Sequence, residues 1–209
     1  MIRLLHTTII SVFLGLSPLG GNVFAVNSPD QNTEVETGPS EEYVFRTINK
    51  NVRFSWEPNK RLSWSDFRGV PDRYSNFAAT SNTGISHTYT LDAKGYYIKN
   101  SSQVRANFYP NLSWYIPKLI NETTLAHEQT HFDISELHAR ILRKAIAEYR
   151  FSRNSKSEIQ SIYQQVEKAR KAMQADFDRE TKHSVDRQKE IAWEAHVAQL
   201  LYKYRFWAN

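Results

Sequence analysis

The stretch from Leu125 to Arg140 holds the residues whose types and spacing are best suited to chemistry. His127, Glu128 and His131 form an H-E-x-x-H motif. Two histidines four residues apart lie one turn above each other on the same helix face, so both imidazoles can bind one metal ion. Glu128 then lies beside the open position of the metal, where a carboxylate can take a proton from water attacking a carbonyl. The spacing therefore predicts a zinc (Zn2+) hydrolase centre with Glu128 as catalytic base.

A long helix is needed to position this motif. The flanking residues 116–120 and 134–147 favour a helix, Asn121 and Thr123 are candidate N-terminal caps, and no proline follows Pro117. The alternative is an ordinary solvated or core helix whose histidines only pack against neighbours.

A catalytic zinc ion usually has three protein ligands, so one ligand must come from outside the motif. His138 lies on nearly the same helix face, but it is seven residues past the motif, about 10 Å along the axis. We expect it to be a core histidine or one that supports the ligands through hydrogen bonds. The better source is the segment 176–183, at the junction of two predicted helices. His183 is the predicted third ligand, and Asp178 and Glu180 are alternatives that spacing alone does not exclude.

Hydrolysis also requires a donor that holds the negative charge developing on the substrate carbonyl oxygen. The sequence offers several candidates and does not distinguish among them. The two histidines among them are expected to be ordinary partly buried residues. The candidates are His87, Tyr89, Arg187 and His196.

Composition limits the class of protein. The 209 residues suit one domain with a substantial core, and the net charge of +5 is spread along the chain without dense basic runs. This distribution argues against a nucleic-acid partner. The chain has no cysteine, which excludes disulfides, thiolate metal ligands and a cysteine nucleophile.

The N-terminus is typical of a secretory signal peptide. Arg3 precedes an apolar stretch, and Val23 and Ala25 supply small residues at the positions before a cleavage site. We predict cleavage after Ala25, a disordered lead-in over residues 26–42, and a secreted or periplasmic protein without a stable membrane span. The alternative is an uncleaved N-terminal anchor, although the apolar run contains Pro18 and is short for a span.

Periodicity changes along the remaining chain. Strand-like runs come first, with residues 92–95 predicted as a hairpin turn, and helices with apolar residues every three or four positions follow. This order predicts an α+β fold in one domain over residues 43–209. The predicted strands are 43–45, 52–56, 85–91, 96–98 and 104–109, and the helices after the motif helix are 157–178 and 184–204, with 150–156 separating the first two helices.

Segments outside the motif add a more specific pattern: 62–71, 78–81 and 178–183, followed by Gln188 and Trp193. With the H-E-x-x-H stretch, they resemble a bacterial family of predicted secreted zinc-dependent proteases, catalogued as domain of unknown function 922. The resemblance implies a zincin-like metallopeptidase that binds an extended protein or peptide substrate along a strand edge between residues 78 and 109. Its implied site residues are the metal ligands His127 and His131, the catalytic carboxylate Glu128, and a downstream histidine matching His183; Ser184 stands where we expect glycine.

Other residues within these segments have structural interpretations. Trp64, Phe67 and Gly69 are predicted to form a corner with two buried aromatic rings and a glycine whose backbone angle other residues resist. Glu136 and Arg140 are spaced for an ion pair on one helix face.

Two other functions fit the same sequence. A secreted binding protein with a structural metal would bind zinc, yet no activity would depend on Glu128. A metal-dependent amidase would cleave cell-wall peptides but not protein.

Overall fold

The computed structural model describes residues 52–72 and 74–209. The predicted signal peptide, the lead-in and the strand at 43–45 lie outside these residues. Five strands precede three helices in the described chain, which confirms the predicted α+β class. The elements are β1 (Phe54–Ser55), β2 (Ala79–Thr80), β3 (Thr83–Thr88), β4 (Gln103–Phe108), β5 (Trp114–Tyr115), α1 (Glu122–Glu148), α2 (Ser155–Thr181) and α3 (Arg187–Lys203), with short 3-10 turns at Trp64–Asp66, Pro110–Leu112 and Arg205–Trp207.

The strands form two small antiparallel sheets. The larger has the order β1–β4–β3, and β2 pairs with β5 in the smaller. In the larger sheet Ile85 lies opposite Ala106 and His87 opposite Val104, and these four side chains are buried. This alternation gives the sheet one face that packs on the helices.

The predicted turn at residues 92–95 is present, but it does not join two full strands. Gly95 has a φ of 88° and its N–H donates to the Asp92 carbonyl at 3.0 Å. Beyond the turn only Leu91 and Tyr97 form a bridge. The main partner of β3 is instead β4, and the predicted strand at 96–98 is reduced to this bridge.

Helix α1 begins at one of the two predicted caps, which confirms that prediction, and the helix-favouring residues 116–120 lie before the helix. Asn121 is the N-cap, and its side chain accepts a hydrogen bond from the Thr124 N–H at 2.9 Å. Residues 117–119 form a turn, closed by a bond from the Leu119 N–H to the Ile116 carbonyl. A cap side chain that satisfies the first free N–H groups fixes where a helix starts.

The main core lies between the larger sheet and α1, and α2 closes it. Fully buried side chains from all three elements include Phe108 on β4, Leu142 on α1 and Ile159 on α2. A second cluster joins the three helices through Ile134, Phe177 and Val197. Helix α1 is thus the central element. Among the helices of the described residues, none is both long and apolar enough to cross a membrane.

The predicted aromatic corner is present, but Gly69 is required there for a different reason from the predicted one. Trp64 contacts Phe67 and Tyr115 with ring centroids 5.1 and 4.9 Å apart. The Gly69 N–H donates to the Ser113 carbonyl at 2.7 Å, and a Cβ at Gly69 would lie 2.9 Å from that same oxygen. Close backbone approach, not a left-handed backbone angle, therefore requires glycine here.

Candidate metal centre

The motif residues of α1 point in different directions and contact different elements. Gln129 accepts a hydrogen bond from the Leu62 N–H at 2.8 Å and thereby holds the segment after β1. His127 and His131 face α2 and α3, and Glu128 faces the end of β2. The motif thus supplies both a pair of imidazoles and anchoring contacts for the sheet.

His127, His131 and Asp178 bring three ligand atoms together. The Asp178 Oδ1 atom lies 3.1 Å from Nε2 of His127 and 2.9 Å from Nε2 of His131, and the two Nε2 atoms are 3.2 Å apart. Tetrahedral zinc with bonds of 2.0–2.2 Å places its ligand atoms about 3.3–3.6 Å from each other, a few tenths of an ångström farther apart than these three atoms. The three atoms therefore fit a metal ion that they would bind from one side.

Glu190 on α3 holds His127 from the opposite side. Its Oε1 lies 2.7 Å from Nδ1 of His127, and the glutamate is 0% exposed. Phe177 stacks on the same imidazole, with ring centroids 4.4 Å apart. A carboxylate on the far nitrogen of a metal-ligating histidine fixes the ring orientation and leaves the other nitrogen free for the metal.

Glu190 is not among the residues predicted from the sequence, although its position on α3 is a signal that the sequence contains. Glu190 shares one helix face with Trp193, Val197 and Leu201, at spacings of three, four and four residues. A charged residue on the apolar face of a helix requires a buried partner. Among the described residues, Oε2 of Glu190 has no hydrogen-bond partner, so the pairing seen there is with His127 through Oε1.

The carboxylates change the acid–base behaviour of the centre. Burial alone would lower the pKa of His127, but its hydrogen bonds with Asp178 and Glu190 outweigh burial and raise that pKa to about 9. Burial opposes ionisation of Asp178 too, but hydrogen bonds from both histidines hold the pKa of its carboxyl well below the usual range. A metal ion bound here would displace the proton from His127.

Glu128 is buried next to the histidine pair, with 4% of its surface exposed. Its Oε2 accepts a hydrogen bond of 2.7 Å from the backbone N–H of Ser81, directly after β2. This bond fixes the carboxylate between α1 and the smaller sheet. Strand β2 thereby takes part in the site, although two residues are too few to give a strand signal in the sequence.

His183, the predicted third ligand, lies at the rim of the centre. Its Nδ1 is 3.6 Å from Asp178 Oδ1, and its side chain is 51% exposed. Lys182, His183 and Ser184 all have left-handed backbone angles, with φ of 52°, 53° and 70°. Of the two alternatives, Asp178 joins the motif histidines, whereas Glu180 accepts a bond from the Trp193 indole. Among the three candidates, Asp178 thus has the ligand atom closest to the two motif histidines.

The candidates for an oxyanion donor make other contacts. His87 is buried on β3, with Nε2 3.0 Å from Ser102 Oγ, and its ring contacts that of Tyr89. Arg187 pairs with Glu194, and His196 is exposed on α3. In the described part of the chain, the contacts of these four candidates do not include the side chains of the motif.

His138 is a core histidine, as predicted. It is 4% exposed, and its Nδ1 lies 2.8 Å from the Ile134 carbonyl of the preceding turn. Burial lowers the pKa of this histidine.

Comparison with known proteins gives a family but no characterised relative. A family described as "Bacterial protein of unknown function (DUF922)" matches residues 59–184, more than half of the 209-residue chain. This segment includes the motif, Asp178 and His183 and ends before Glu190. No curated protein and no solved structure matches the chain. The chain therefore belongs to the DUF922 family of bacterial proteins.

Proposed function

We propose that this protein is a zinc-dependent hydrolase with a zincin-like site that cleaves peptide bonds in a polypeptide substrate. The observation that carries the proposal is the convergence of ligand atoms from His127, His131 and Asp178 beside the buried carboxylate of Glu128. Two imidazoles and one carboxylate, with no thiolate, make a donor set typical of catalytic zinc.

The ligands and their support have separate tasks. His127, His131 and Asp178 would hold the ion, and Glu190 would orient the ring of His127. When bound, zinc supplies positive charge that acidifies water and polarises the substrate carbonyl. His183, predicted from the sequence as a ligand, is in this arrangement a rim residue next to Asp178.

Glu128 is the proton carrier of the proposed reaction. Its carboxylate accepts a proton from the water that attacks the scissile carbonyl carbon, and it returns that proton to the nitrogen as the carbon–nitrogen bond breaks. The Ser81 N–H holds Oε2, so we assign the proton transfer to Oε1. The products are a carboxylic acid and an amine, which balances the addition of one water.

Zinc content and hydrolysis of an unstructured protein, measured on the same preparations, test this proposal. We expect one zinc per chain in the wild type and loss of both zinc and activity in Asp178→Ala. Glu128→Gln should keep the zinc and lose activity by about 10²- to 10⁴-fold. His183→Ala distinguishes Asp178 from His183 as the third ligand. Loss of zinc from the His183→Ala variant would favour His183.

The same measurements distinguish the rival functions. Zinc at full occupancy without hydrolysis of any protein or cell-wall substrate would favour a binding protein. Turnover of cell-wall peptides without turnover of protein would favour an amidase.

Export is part of the proposal and has its own test. We expect mature protein in the periplasmic or extracellular fraction, with an N-terminus at Val26, because residues 1–25 have the pattern of a cleavable signal peptide. N-terminal sequencing of the fractionated protein measures this directly. An intact N-terminus in the membrane fraction would indicate an anchor instead.

A further inference from the structure

Two loops next to the candidate centre expose large apolar side chains. Tyr74 and Phe77, before β2, are 95% and 45% exposed, and Val185, between α2 and α3, is 77% exposed. Together with His183, which lies between the two loops, we call Tyr74, Phe77 and Val185 the apolar rim. Exposed large apolar side chains beside a candidate site are a common mark of ligand binding.

Contacts join the apolar rim to the centre. The ring of Phe77 lies 4.7 Å from that of His183, centroid to centroid. The imidazole of His183 is in turn 3.6 Å from the Asp178 oxygen that both motif histidines contact. One imidazole therefore separates Phe77 from the candidate ligands.

The segment 77–81 runs from the apolar rim to the catalytic carboxylate. Phe77 is at one end, and Ser81 at the other donates its N–H to Glu128. Residues 79 and 80 are strand and residue 78 is a bend, so the segment spans at most about 13 Å, the length of about four residues of an extended substrate. A peptide whose scissile bond is next to Glu128 would thus place a nearby side chain at the rim.

Local hydrogen bonds hold the loop and turn its aromatic rings outward. The Asp72 side chain accepts from the Tyr74 N–H at 2.9 Å, and the Ser75 hydroxyl accepts from the Phe77 N–H at 3.1 Å. The loop is therefore held by polar contacts, and its aromatic rings are not needed to fill the core.

We propose that the apolar rim is the subsite that receives a large apolar side chain of the polypeptide substrate, close to the bond that is cut. This inference rests on the proposed function and adds a substrate preference to it. Phe77 supplies the main contact surface, and Tyr74 and Val185 extend it. Burial of the substrate side chain against these three residues removes apolar surface from water, and this is the source of the preference.

Peptide binding to the zinc-loaded full chain carrying Glu128→Gln tests the proposal without hydrolysis. The probes are fluorescent blocked decapeptides of glycine, serine and asparagine whose central residue is Phe, Leu or Ala. We expect the Phe and Leu peptides to bind about tenfold more tightly than the Ala peptide. Adding Phe77→Ala should reduce this preference to less than twofold, and Phe77→Leu should restore most of it.

Control variants separate the rim from general effects. Phe206→Ala removes another exposed aromatic ring, 80% exposed on the C-terminal turn, and should leave the preference unchanged. Tyr74→Ala, at a fully accessible side chain, should weaken the preference even if Phe77→Ala fails to fold. Equal binding of the Phe and Ala peptides, or a preference that survives both rim substitutions, would overturn the proposal. Absence of hydrolysis in the wild type would contradict the proposed function alone, because this binding measurement does not depend on turnover.

Discussion

At the scale of single residues, the centre depends on one glutamate outside the motif. Glu190 is fully buried and contacts Nδ1 of His127 at 2.7 Å. We expect Glu190→Gln to weaken zinc binding by about 10- to 100-fold, because the amide keeps the shape but loses the charge that orients and strengthens the imidazole. Competition titration with a chromophoric chelator measures this. Glu194→Gln, on the same helix in an exposed pair with Arg187, is the matched control. An unchanged zinc affinity in Glu190→Gln would contradict the role.

His87 makes the stability depend on pH in the acid range. Burial lowers its pKa to about 4 from an ordinary 6.5, so the folded state stays neutral where the unfolded state takes a proton. Stability is therefore retained above pH 6.5 and falls by about 3 kcal/mol as pH drops to about 4. Urea unfolding at several pH values should show a shallower acid decline in His87→Gln than in the wild type. The exposed His196→Gln should decline as steeply as the wild type, and an equal decline in His87→Gln would refute the assignment.

The sequence predicts those site residues whose relation is local. His127, Glu128 and His131 follow from helix spacing alone, and the structure has them on one helix. To predict Asp178 rather than His183 as the third ligand, one must know where α2 ends to within two residues. Periodicity does not locate helix ends so closely. Since α2 ends at Thr181, Asp178 is the last acidic residue there that faces α1, and His183 belongs to the turn.

At the scale of elements, the turn between α2 and α3 is strained. Lys182, His183 and Ser184 are consecutive non-glycine residues with positive φ. A non-glycine residue in this left-handed region costs about 1–2 kcal/mol of stability. Glycine avoids that cost, but its greater freedom in the unfolded state lowers stability by up to about 1 kcal/mol. We therefore expect Ser184→Gly to stabilise the protein by about 0.5–1 kcal/mol in urea unfolding. Ser184→Ala should have no such effect, and a less stable glycine variant would contradict the strain.

Element length determined which parts of the fold were predictable. The three long helices and strands β3 and β4 have enough residues for periodicity to identify them, and the predicted bounds differ by a few positions. Strand β1 has only two residues but lies within the alternating run 52–56, whereas β2 and β5, with two residues each, lie in no such run. Their pairing depends on long-range contacts, for example the close approach of Gly69 to Ser113, which composition does not reveal.

At the scale of the whole molecule, a buried charge network fastens the helices to the sheet. Glu136 accepts hydrogen bonds from Arg140 and Arg143 at 2.9 and 3.0 Å, which confirms the predicted Glu136–Arg140 pair. Arg143 continues to the carbonyls of Val104 on β4 and Trp207 at the C-terminus. Arg140 also donates to the Leu201 carbonyl on α3 at 2.8 Å. One carboxylate thus pairs with two arginines that together contact α3, β4 and the C-terminal turn.

Removing that carboxylate should be costly. We expect Glu136→Ala to destabilise the protein by about 3–5 kcal/mol, because the buried Arg140 and the partly buried Arg143 lose their counter-charge. Glu148→Ala breaks an exposed pair with Lys144 at the same helical spacing and should cost less than about 1 kcal/mol. Chemical unfolding of both variants gives the comparison, and similar losses in the two would refute the importance of the network.

The separation of the site residues along the chain has a consequence for timing. Asp178 is 51 residues from His127, and Glu190 is 63 residues from it. The motif helix can form early from local contacts, but the centre requires α2 and α3 to have docked, and such distant contacts form late. A partly folded chain therefore carries the H-E-x-x-H motif without a working site. The proposed polypeptide hydrolase would in this way be harmless to its own unfolded copies until its folding is complete.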